Sequence, residues 1–210
     1  MHHHEKLFID GPAGKLQAIY QAGESGKAVV LVCHPHPQFG GTMRNKVVYW
    51  IARAFEDLGH PVLRFNFRGV EQSEGEWDAG LGEADDAAAA LEWLHEKHPD
   101  VPLWLAGFSF GCYAGLNAAI HDDRVKRIFA IAPAVNLWDF SFVLNDTALQ
   151  HGTRPLKVIH GTADELVPHD MVTAWVGMLE GVEYCEIDGA GHFFPEHMQQ
   201  LQSALISNLS

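Results

Sequence analysis

An apolar, strand-like run over residues 103–108 ends in Gly107-Phe108-Ser109-Phe110-Gly111, and an Ala-, Gly- and Leu-rich helical pattern follows through Ile120. Strand, sharp turn and helix are the setting in which Gly-x-Ser-x-Gly forms a nucleophile elbow. Such a turn holds the serine in a strained conformation, usually with positive φ, and the chain passes close to itself on either side. Gly107 and Gly111 supply positions without a Cβ at those approaches. The helix beginning beside Ser109 aims its N-terminal N–H groups and positive dipole end at any anion formed there. The bare motif is common by chance, and its flanking elements are what make it specific.

The remaining elements follow the same alternation. Residues 5–10 and 15–21 flank Gly11-Pro12-Ala13-Gly14 and read as an opening β-hairpin. Residues 28–33 are a continuous apolar run, the mark of a strand covered on both faces. Helical periodicity over 42–58 closes at Gly59, a strand is expected over 61–67, and an Ala-rich helix over 83–98 stops at Pro99. Beyond the elbow, strands are expected at 126–132, 155–160 and 182–187, with helices at 168–179 and from about 195 to 209. A short antiparallel start followed by alternating strands and helices predicts one mostly parallel sheet with helices on both faces. A chain of 210 residues fits a single domain, taken as 5–210, with residues 1–4 read as a tag remnant.

A serine hydroxyl needs a base to take its proton, and the base needs a carboxylate to fix its tautomer. Both belong on loops at the carboxyl ends of strands after the elbow. Gly161-Thr162-Ala163-Asp164 follows one such strand and Gly189-Ala190-Gly191-His192 follows the last. The order Ser109, Asp164, His192 is the one this architecture requires. Asp164 directly follows the turn at its strand end, with Glu165 and Asp188 as the alternative carboxylates. His169 and His197 read as helix-face residues. The oxyanion formed during attack needs two backbone donors. One is the N–H of Phe110, next after the serine. The second is expected in His34-Pro35-His36-Pro37, where proline leaves His36 the only free donor between the two rings, with Gln38 as second choice. Gln38, Phe39, Trp138 and Phe193 are the candidate pocket residues. No metal is expected: His34 and His36 lack a third ligand at workable spacing.

Together these residues carry a resemblance. The chain from about Ala28 onward resembles the small bacterial α/β-hydrolases related to dienelactone hydrolases. The likeness rests on His34-Pro35, Gly40-Gly41-Thr42-Met43, Asn45-Lys46-Val47-Val48, Phe65-Asn66-Phe67-Arg68-Gly69-Val70 with Ser73 and Gly75, the elbow, Ala132-Pro133, Gly161–Asp164 and Gly191-His192-Phe193-Phe194. It implies a sheet of about eight strands, little or no lid, and a serine hydrolase of carboxylesterase type; a small-molecule ester is the expected substrate, and no cofactor is expected. Dienelactone hydrolases use a cysteine nucleophile, so Ser109 departs from that chemistry. Glu71 stands where the Arg-Gly-Val loop commonly continues with glycine, and that loop borders the site in the family, so a change of substrate preference is expected. Arg68 reads as a structural arginine bonding loop carbonyls, with the binding of a substrate carboxylate as the alternative.

Other features narrow the function. Residues 134–154 are too few for a folded cap with its own core and are expected to pack one short helix onto the body as a wall of the pocket, so a preference for short acyl groups is expected. A formal net charge of −13 disfavours nucleic acid or an anionic membrane surface as partner. No apolar run approaches the length of a membrane-spanning helix, and the N-terminus lacks the apolar region of a signal peptide. Cys33, Cys112 and Cys185, odd in number and in apolar elements, read as buried free thiols in a reducing compartment, so a cytoplasmic location is expected. The alternatives are a peptidase or amidase, a thioesterase or lactonase, or a non-catalytic binding protein on the same scaffold.

Overall fold

The computed structural model describes residues 4–209. Among the described residues there are eight strands: β1 (His4–Gly11), β2 (Gly14–Gln21), β3 (Val29–Cys33), β4 (Val62–Phe65), β5 (Leu103–Phe108), β6 (Val125–Ile131), β7 (Leu156–Gly161) and β8 (Glu183–Ile187). The helices are α1 (Lys46–Glu56), α2 (Leu81–Lys97), α3 (Phe110–Ala119), α4 (Ser141–Leu144), α5 (Thr147–Gln150), α6 (His169–Val176) and α7 (Met198–Ile206). The strands form one sheet in the order β1-β2-β4-β3-β5-β6-β7-β8. β1 pairs antiparallel with β2, and β2 with β4; all other neighbours are parallel. His4 lies inside β1 opposite Gln21. The rest of the N-terminal histidine run lies outside the described residues.

The two-residue period of a strand explains the continuous apolar runs. In β3, Val29, Leu31 and Cys33 join the core under α2 and α3, while Val30 and Val32 join the core under α1 and α7. Every residue of β3 is buried. Each large apolar side chain removed from water contributes roughly 1.5–3 kcal/mol, and a slip of one residue would exchange the two faces. Both cores therefore fix the register of β3 beside β5, and with it the position of the serine turn.

Two expectations about helices need correction. Residues 42–45 are not helical: Asn45 accepts the N–H of Val47 (2.8 Å) as an N-cap, so α1 begins at Lys46. Residues 134–154 form two short helices where one was expected. Asp146 interrupts them, its Oδ1 accepting the N–H of Leu149 at 2.7 Å. Phe140, Val143 and Leu149 then bury into the core beside α6. Among the described residues no helix is long and apolar enough to cross a membrane.

Candidate active site

The loops at the carboxyl ends of the parallel strands meet around Ser109. The serine adopts φ 55° and ψ −117° between β5 and α3. The turn is possible because a Cβ on Gly107 would lie 2.5 Å from the carbonyl oxygen of Gly111, and one on Gly111 would lie 2.4 Å from that of Cys33. Any side chain at either position would force the elbow apart. Ala132 (φ 46°) and Phe194 (φ 50°) are also in the left-handed region, after β6 and after the His192 turn. Strained non-glycine backbone thus gathers at this end of the sheet, and buried surroundings hold it there.

Ser109, Asp164 and His192 come from three strand ends and converge. His192 Nε2 lies 3.0 Å from Ser109 Oγ, and its Nδ1 lies 2.8 Å from Asp164 Oδ2. Since a carboxylate can only accept, Nδ1 carries the proton and Nε2 offers a lone pair to the serine hydroxyl. Asp164 Oδ1 accepts two backbone N–H groups, from Leu166 (2.9 Å) and Val167 (2.8 Å). Burial alone would push the Asp164 carboxyl up. The hydrogen bond from His192 and those from Val167 and Leu166 outweigh it, so its pKa lies below the ordinary value. The alternative carboxylates sit elsewhere. Glu165 is exposed and accepts the backbone N–H of His192 at 3.3 Å, while exposed Asp188 accepts from the Thr162 hydroxyl.

Phe110 is the first residue of α3, where N–H groups have no partner within the helix. In the 35–41 loop the N–H groups of Phe39, Gly40 and Gly41 donate to loop carbonyls, and that of Gln38 donates to His36 Nδ1 at 3.2 Å. Pro35 and Pro37 have none, which leaves the N–H of His36 and removes Gln38 as a donor.

A cavity of about 490 Å³ opens beside the serine. Phe39, Trp138 and Phe193 line it with His36, Phe110, Leu137, Leu166 and Val167. Gln38, expected on this wall, is not among the lining residues. The His36 ring lies 4.7 Å from Trp77, 4.6 Å from Phe39 and 5.2 Å from Phe110, centroid to centroid, so the loop rests on an aromatic floor. Leu166 and Val167 were not foreseen, although they directly follow Asp164 in the same loop. Trp77 lies 41 residues from His36 in sequence, and only the fold brings the two rings together.

The neighbouring loops behave differently from expectation. Arg68 is structural, but its partner is a carboxylate: Nη2 meets Asp86 Oδ1 at 2.8 Å and Nε meets Asp86 Oδ2 at 3.0 Å, both residues buried. Glu71 does not line the serine cavity. It faces a separate cavity beside Arg44 and Gln17, and accepts from Asn66 at 2.8 Å. Its φ of 50° explains why glycine suits that position in the related loops. Cys33 and Cys112 are buried, and burial pushes their thiols up. Cys185 is only half-buried.

His34 is committed to backbone. Its Nδ1 donates to the Pro35 carbonyl at 2.6 Å, and its Nε2 accepts the Phe67 N–H at 3.1 Å. Both nitrogens are used by the neutral ring, and a proton on Nε2 would face the Phe67 N–H. Burial pushes the His34 pKa down from 6.5 to about 4, against a smaller upward pull from the Pro35 hydrogen bond. The unfolded chain therefore binds this proton first. The contribution is complete above pH 6.5 and is lost as pH falls toward about 4. A shift of this size corresponds to roughly 3 kcal/mol. Urea unfolding at a series of pH values should show stability falling across this window. The fall should be smaller in His34→Gln, and an equal fall would remove His34 from the account.

Comparison with known proteins agrees with this architecture. The sequence pattern of the alpha/beta hydrolase fold family matches residues 28–152. An uncharacterized protein of Rickettsia prowazekii is 36% identical over 211 residues, covering 95% of this chain and 86% of its own. An alpha-beta serine hydrolase homologue from Coxiella burnetii superposes with a TM-score of 0.90 at 36% identity, over 98% of this chain and 97% of that one. A Xanthomonas campestris protein described as an a/b serine hydrolase without lid gives 0.85 at 38% identity, over 97% and 92%.

Proposed function

This chain belongs to the α/β-hydrolase family and is a hydrolase, and we propose that it cleaves uncharged carboxylic esters of short acyl groups through an acyl-enzyme on Ser109. The observation that carries this reading is the continuous hydrogen-bond path from Asp164 Oδ2 through His192 to Ser109 Oγ. In the proposed reaction Ser109 Oγ attacks the ester carbonyl as His192 Nε2 takes its proton. Asp164 keeps Nδ1–H in place and stabilises the imidazolium that results. The negative oxygen of the tetrahedral intermediate accepts from the N–H groups of Phe110 and His36. Collapse breaks the bond to the alkoxy group, which leaves as the alcohol with the proton from His192. Water then attacks the acyl-enzyme, again giving its proton to His192, and the acid departs as Ser109 regains its hydrogen.

Two features of the cavity support the substrate class. Its lining residues include no Asp, Glu, Lys or Arg, so a charged acyl or alcohol group would lose water without gaining a partner. Its rim is open: Phe39 is 84% exposed and Leu137 66% exposed. A methylene adds about 0.8 kcal/mol of binding only where it leaves water, and carbons beyond the rim do not. With p-nitrophenyl esters, kcat/KM should peak at acyl lengths of about C2 to C6 and fall beyond. No rate jump should appear at the substrate's micellar threshold. An optimum at C10 or longer would contradict the reading, as would such a jump.

A further inference from the structure

The carboxylate proposed to orient His192 has a second histidine behind it. His160, the fifth residue of β7, is fully buried. Its Nε2 lies 3.1 Å from the Val167 carbonyl oxygen, which can only accept, so Nε2 bears the proton and Nδ1 of the neutral ring is a bare lone pair. That Nδ1 is buried and has no hydrogen-bond partner. It faces Asp164 Oδ2 across 3.8 Å, the same oxygen that holds His192. Unpaired buried nitrogens are uncommon, and one aimed at a working carboxylate calls for a role.

From this juxtaposition we infer that His160 is a positioning residue that acts on His192 through Asp164. It does so in two ways. Its Nε2–H pins the Val167 carbonyl, and the Val167 and Leu166 N–H groups in turn pin Asp164 Oδ1, so the ring closes the loop around the carboxylate. Its unprotonated Nδ1 also has no hydrogen to offer, which reserves Oδ2 for His192. When His160 takes a proton from solvent, Nδ1–H becomes a donor to Oδ2. It then competes with His192 Nδ1–H, and the base loses its orientation.

The surroundings favour the neutral state. Burial holds the His160 pKa below the ordinary histidine value. Asp164 and the Val167 carbonyl pull it up, while His169 and His192 push it down. His169 stacks on His160 at 6.1 Å, and its Nε2 is paired with Glu186. Asp164, His169 and His192 face the ring, and Glu186, opposite His160 on β8, is paired with His169.

The inference rests on the serine-hydrolase reading above, and its test separates the two. His160→Leu removes both the pin and the lone pair. At pH 8 it should lower kcat by about tenfold with KM little changed, since a misplaced base slows chemistry and not binding. His160→Gln keeps an amide N–H for Val167 and has no proton to gain, so it should restore most of kcat. The acid limb of kcat/KM should then distinguish positioning from mere packing. It should steepen to a two-proton dependence in the wild type and remain a one-proton dependence in His160→Gln. Wild-type kcat in His160→Leu would overturn the inference, and so would the same acid limb in wild type and His160→Gln. If His160→Leu does not fold, the acid limb alone decides. Turnover that survives Ser109→Ala would sink the serine-hydrolase reading, whereas a Ser109-dependent enzyme indifferent to His160 sinks only this inference.

Discussion

Ser109→Ala should abolish ester turnover, by up to about a millionfold, because nucleophile and base act as one unit and either alone is nearly useless. The substitution removes one oxygen whose hydrogen-bond partner is His192 Nε2 at 3.0 Å. The backbone turn is made by Gly107 and Gly111, which the change leaves alone, and alanine meets the φ of 55° with no more strain than serine does. Circular dichroism and thermal unfolding should therefore resemble wild type, so that lost turnover reports chemistry and not folding. Turnover within tenfold of wild type would assign the nucleophile to another residue.

Asp164→Asn should slow turnover by roughly four orders of magnitude with the fold intact. The asparagine amide has one oxygen and one NH₂ where the carboxylate has two oxygens. Its oxygen would be claimed by the Leu166 and Val167 N–H groups that now bind Oδ1. The NH₂ would then face His192 Nδ1, and two donors would meet across a bond now 2.8 Å long. The imidazole escapes by moving its proton to Nε2, where it faces the serine as a donor and can take no proton. Turning the amide over sets its NH₂ against two backbone donors and is no better. Glu165→Gln and Asp188→Asn should have small effects, because Glu165 bonds only the backbone of His192 and Asp188 is exposed beside Thr162. Large losses in either of these, with Asp164→Asn active, would move the carboxylate.

The parts of the molecule that could be read in the sequence are those whose cause is local. β3 and β5 announce themselves as apolar runs because both faces of each are covered. The elbow is legible because only glycine tolerates backbone at 2.4–2.5 Å from its would-be Cβ. Asp164 and His192 could be named because each follows a strand end after a glycine turn. What escaped is set by pairing across long stretches of chain. Arg68 finds Asp86 eighteen residues later on α2, and no spacing rule announces that. The His36 ring takes the Gln38 N–H, a side-chain bond that withdraws one oxyanion candidate. Asn45 and Asp146 set helix boundaries by capping, which periodicity alone does not reveal. The orphan Nδ1 of His160 exists only once β7 and the 164–167 loop are folded against each other.

If Ser109 is a nucleophile made reactive by His192 and Asp164, covalent labelling should single it out. A fluorophosphonate that mimics the tetrahedral intermediate should add once per chain and abolish turnover in step with labelling. Peptide mass spectrometry should find the adduct on Ser109. Labelling should slow sharply in Asp164→Asn and vanish in Ser109→Ala. An adduct on any other residue, or an enzyme that keeps its turnover after complete labelling of Ser109, would rule out Ser109 as the nucleophile.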